Sequence, residues 1–158
     1  MHISARQVHT VTLVFCVVVL GACGLSKPLP RFDSYAHYVS DGNVALYWNC
    51  SRPEPGVVQV AGWANNPYYS EPIKDLGFTL YGEDARGGDI SSAQASATSY
   101  MIFMMDLTPL TIDLRTVGGE VQYQLWYHYY FSGNRLAQGG LNTNWHNMAN
   151  NVCAGLTP

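Results

Sequence analysis

Apolar and polar residues alternate with a period of two along most of the chain beyond residue 40, and that period predicts strands. Val44, Leu46 and Trp48 fall on one side of residues 43–50, and Ala45, Tyr47 and Asn49 on the other. Residues 57–64 follow, with Val58 and Val60 on one side. The clearest case is 73–81, where Leu76, Phe78 and Leu80 alternate with Gly77, Thr79 and Tyr81. Leu110, Ile112 and Leu114 repeat the pattern. Residues 120–131 then place Val121, Tyr123, Leu125, Tyr127, Tyr129 and Phe131 on one face, with Gln122, Gln124, Trp126, His128 and Tyr130 on the other.

Turn chemistry separates these runs: Arg52-Pro53-Glu54-Pro55-Gly56, Asn65-Asn66-Pro67, Gly87-Gly88 and Gly118-Gly119. Residues 32–42 suit a short turn or edge strand. The small, polar residues 90–99 read either as an edge strand or as a loop. Residues 100–107 are nearly all apolar, and their shortness predicts a strand buried on both sides, interrupted at Thr108-Pro109. Only residues 144–152 have helical spacing: Trp145, Met148, Ala149 and Val152, with Thr143 or Asn144 as N-cap. The pattern predicts an all-β chain, an antiparallel β-sandwich of six to eight strands closed by a short C-terminal helix over residues 35–158.

The first 22 residues follow another rule. Arg6 precedes an uncharged apolar run at 11–20, and small residues come next, the layout of a cleaved signal peptide. The run is too short to span a bilayer, which takes about 20 residues. Leu20-Gly21-Ala22-Cys23 resembles the lipobox of bacterial lipoproteins. The resemblance implies that Cys23 receives a diacylglycerol thioether and becomes the first residue of the mature chain, anchored by its acyl chains. It also implies a bacterial cell envelope, and Gly24 rather than Asp after the cysteine favours an outer membrane, facing the periplasm. Residues 23–34 then serve as lipidated cysteine and tether, with Pro28 and Pro30 opposing regular structure.

With Cys16 removed and Cys23 lipidated, Cys50 and Cys153 remain, an expected disulfide. The alternatives lack support: a redox pair lacks Cys-x-x-Cys spacing, and a zinc site needs more ligands.

Of 8 basic residues only Arg6 lies in the leader, which leaves 7 against 11 acidic ones and no basic cluster. Nucleic acid is therefore not an expected partner. Three segments resemble the FxLYD group of immunoglobulin-like domains in bacterial envelope lipoproteins: Val60 to Asn66, Ile73 to Tyr81 with Phe78, Leu80 and Tyr81, and Val121 to Leu125. Glu83 or Asp84 stands near that group's acidic position, displaced by Gly82. The resemblance implies an immunoglobulin-like sandwich and no catalytic residue.

Candidate chemistry is sparse. His37, His128 and His146 have no metal-ligand spacing, and Glu83, Asp84 and Asp89 lack the pattern of a calcium loop. No serine sits in Gly-x-Ser-x-Gly. No metal, cofactor or catalytic residue is expected. The stripe Gln122, Gln124, Trp126, His128 and Tyr130 is the candidate binding face, suited to an envelope protein or to a glycan stacking on its rings. Otherwise the C-terminal helix and tail, or the segment around Tyr35, cover it. The resulting expectation is a membrane-anchored, non-catalytic interaction or structural module, with glycan binding as the alternative.

Overall fold

The computed structural model describes residues 30–67, 71–131 and 144–156. The leader, Cys23 and the tether up to residue 29 lie outside the described residues. Among these residues a 3-10 turn at Phe32–Ser34 leads into nine strands. They are β1 (His37–Ser40), β2 (Ala45–Ser51), β3 (Val57–Asn65), β4 (Ile73–Glu83), β5 (Asp89–Ser96), β6 (Met101–Ile102), β7 (Leu107–Arg115), β8 (Gln122–Phe131) and β9 (Asn144–Ala149). One sheet has the order β1-β2-β3-β7, the other β5-β4-β8-β9 with β6 pairing the start of β4. Every pairing is antiparallel.

The two sheets share one sandwich-like core. Leu46, Trp48, Val58, Val60, Ile112 and Leu114 come from the first, and Phe78, Leu80, Leu125, Tyr127 and Tyr129 from the second. These are the residues that the period of two placed on inward faces, each contributing roughly 1.5–3 kcal/mol on burial.

The expected C-terminal helix is not formed. Residues 144–149 run as β9, in register from Leu125↔Ala149 to Tyr130↔Asn144. Without β9 the far edge of β8 would present a row of unpaired backbone groups, and pairing them outweighs a weak helical preference. Among the described residues the strand count therefore rises to nine, one above the expected range.

Residues 100–107 also depart from expectation. Only Met101 and Ile102 form a strand, and Phe103, Met104 and Met105 are exposed in a turn. Pro109 does not interrupt β7 but lies inside it, opposite Trp63. The strand tolerates proline because β7 is the edge of its sheet. The ambiguous stretch 90–99 is mostly β5, an edge strand. Val121 precedes β8 and is 62% exposed, so it does not join the inward face.

Cys50 and Cys153 form the expected disulfide, with a Cα–Cα distance of 5.4 Å and 103 residues of separation. A turn rather than a helix delivers Cys153. Next to it, Val152 is buried: its N–H donates to the Tyr123 carbonyl at 2.9 Å, and its carbonyl accepts from Trp48 Nε1 at 2.7 Å. The tail is thus joined to both sheets.

Candidate functional site

The outer face of the second sheet carries the predicted stripe. Residues directly opposite in an antiparallel ladder share a face, so the register lays out its rows. Gln124 stands beside Tyr81 and Ser92; Trp126 beside Thr79 and Gln94; His128 beside Gly77 and Ser96. On its other side Trp126 meets Met148 of β9. Trp126 is 39% exposed and Met148 41%, while Gln122, Gln124, His128 and Tyr130 are partly buried. Among the described residues, Trp126 and Met148 at the centre of this face are exposed. The C-terminal segment extends the sheet sideways as β9 and its tail turns into the core.

Local contacts position these side chains. Trp126 Nε1 donates to Gln124 Oε1 at 3.4 Å, tying neighbours on one strand. Gln122 Nε2 donates to Glu83 Oε2, which gives the buried Glu83 carboxylate a partner. His128 lies against Gly77, where any Cβ would collide with the imidazole ring. At that point β4 bulges: its register with β8 shifts between Lys74 and Gly77, and Asp75 adopts a left-handed φ of 53°. The bulge opens a cleft of about 380 Å³ beside His128, lined by Asp75, Ser96, Thr98, Ser99 and Tyr100. Its walls offer hydroxyls, a carboxylate, an imidazole and the 66% exposed ring of Tyr100.

Ionisable groups elsewhere serve the fold. Tyr127 and Tyr129 point inward and donate to Asp41 Oδ2 at 3.4 and 2.9 Å. Burial, and then the adjacent Asp41 carboxylate, push both phenols well above their usual range. Asp84 Oδ1 accepts from the N–H groups of Gly88 and Arg86, and these bonds hold its carboxyl below the usual range. That carboxylate closes a hairpin turn. Glu120 is penalised by burial, yet hydrogen bonds from Val117, Gly118 and Ser91 outweigh this and leave its pKa lowered. Among the described residues no three His, Cys, Asp or Glu side chains gather so that they could hold a metal ion.

The structure also exposes groupings that linear spacing conceals. His128 and His146 are opposite each other in the β8–β9 ladder, though 18 residues apart in the chain. Tyr38, Tyr47, Trp63 and Pro109 line up across the outer face of the first sheet, and Phe32 packs on Tyr47 at 4.3 Å. His37 stacks on Trp48 at 5.5 Å. Asn66, read from sequence as part of a turn, is fully buried and joins three chain segments through its side chain and backbone. The Asn-Asn-Pro signal marked its turn but not its burial.

No protein-family model matches the chain, and no curated protein matches it.

Proposed function

We propose that this protein is a membrane-tethered, non-catalytic contact module: an immunoglobulin-like sandwich held at a bacterial envelope membrane through lipid on Cys23, with the outer face around Trp126 as its contact surface. The observation that carries this reading is the exposure of Trp126 in the middle of a sheet face, with Gln124, Thr79, Gln94 and Met148 around it. A large aromatic ring with amide neighbours, left open to solvent, has the character of a binding hot spot. The lipobox resemblance supplies the tether.

Two experiments test the two halves. Labelled palmitate should enter the wild-type chain and not Cys23→Ser; equal labelling of both removes the tether. A photocrosslinker in place of Gln94, in the same row as Trp126 on this face, should give a discrete protein adduct in intact cells. No adduct on a folded, lipidated chain removes the protein-contact reading.

Glycan binding is the second reading, and the cleft beside His128 favours it. Ser96, Thr98 and Ser99 offer hydroxyls for sugar hydroxyls, and Tyr100 an exposed ring for stacking. On that reading both Trp126→Ala and Tyr100→Ala abolish retention on cell-wall polysaccharide while the chain stays folded.

A further inference from the structure

Phe103, Met104 and Met105 are 55%, 47% and 63% exposed, in succession, at one tip of the sandwich. Tyr100, just before them, is 66% exposed. Large apolar side chains in a loose loop can fold back against the protein, but these are held outward. Asp106 closes the turn: its carboxylate accepts from Phe103 N–H at 3.1 Å, and its own N–H donates to the Phe103 carbonyl at 3.0 Å. The buried Asn66 anchors it from below. Its side-chain amide donates to the Ile102 carbonyl at 2.9 Å, its N–H to the Asp106 carbonyl at 3.2 Å, and its carbonyl accepts from Met105 N–H at 2.8 Å. Met105 is held at a φ of 66°, a conformation unfavourable for methionine that persists only where the surroundings impose it.

From this geometry we infer that the Phe103–Met105 tip is a membrane contact, inserting its three side chains among the lipids of a neutral-headgroup bilayer. The tip is a tight turn, closed by the Asp106 N–H on the Phe103 carbonyl, with three exposed side chains in succession. A bilayer accepts protruding side chains one by one, whereas a protein would need a matching socket. Phenylalanine and methionine at the end, with tyrosine behind, is the order in which an interface grades from acyl chain to headgroup. Charge among the described residues argues against an anionic surface: Glu71 and Asp106 flank the turn, with Lys74 opposite Met101. The inference rests on the tethered reading above only in that a tether brings a bilayer within reach.

The test uses the full chain in phosphatidylcholine vesicles, with benzoylphenylalanine at Met104 or, as control, at Glu54. Glu54 lies in the turn beside the Val57↔Arg115 end of the β3–β7 pair, away from the Asn65↔Leu107 end that borders the tip. The expected result is phospholipid adducts at position 104, at least about tenfold fewer at 54, and a comparable loss at 104 in Phe103→Ser/Met105→Asn. Asparagine tolerates the left-handed backbone, so that variant keeps the turn. Equal lipid adducts at both positions, no adduct at 104, or adducts only to a second protein chain would each overturn the inference. Vesicles containing half phosphatidylglycerol should give a lower yield at 104; a higher yield would overturn the neutral-headgroup assignment. The tether is scored separately, as the fraction of Cys23→Ser chain that still sediments with vesicles, while the ratio of 104 to 54 adducts per bound chain reads the tip alone.

Discussion

Strand β8 carries aromatic rings on both faces, and the two faces have opposite fates. Tyr123, Leu125, Tyr127 and Tyr129 point into the core, and Tyr129 is fully buried with its hydroxyl on Asp41. Trp126, between two of them in sequence, points outward and is 39% exposed. Residue type does not separate these positions. Parity along the strand does, because successive side chains leave a pleated sheet on opposite sides. An aromatic ring on the inward face is part of the fold, and one on the outward face is available for contact.

The largest break in this comparison is expected from Tyr129→Ala. It empties a fully buried site and leaves Asp41 without one of its donors, at a cost of about 3–5 kcal/mol in chemical denaturation. Cys50→Ser should come next, at about 2–5 kcal/mol, because it frees the tail that inserts Val152 between Trp48 and Tyr123. A wild-type thermal midpoint unmoved by reductant would contradict that. Gly77→Ala tests the outward face where it is tightest. The new methyl must displace His128, and we expect a loss of about 1–3 kcal/mol together with a shift of the His128 ring signals by NMR.

A pH series probes the inward tyrosines without mutation. Their folded pKa values are raised, so the stability they contribute is fully present below the unfolded value of about 10 and is lost as pH rises through the folded values. Denaturation midpoints should fall above about pH 10 in the wild type, and less steeply in Tyr127→Phe. Trp126→Ala should cost less than Tyr129→Ala, about 1–2 kcal/mol, since the 39% exposed ring gives up less buried surface than a fully buried one. A loss as large as that of Tyr129→Ala would erase the distinction between the faces.

Much of the scaffold was legible from the period of two alone. Leu46, Trp48, Val58, Val60, Phe78, Leu80, Ile112 and Leu125 are all in the core where alternation placed them. The disulfide partners followed from counting cysteines. Three segments misled, each for a stated cause. At 144–149 a helical spacing yielded to an unpaired neighbouring strand. At 103–105 an apolar run predicts burial, but apolar composition does not decide exposure when a turn interrupts the pleat. At Pro109 a ring that breaks a central strand was accommodated on an edge. The stripe on β8 was identified residue by residue, but its exposure was not, because exposure depends on where β9 and the tail go.

What residue order alone decided is the split of β2, β3, β4, β7 and β8 into two alternating faces, since the pleat converts residue parity directly into direction. Only the tertiary structure decided which strands are neighbours, which edges need a partner, and which outward residues meet across the sheet: Trp126 with Thr79 and Met148, and His128 with Gly77. Those relations come from backbone pairing between segments distant in the chain, and pairing depends on geometry that no local pattern encodes.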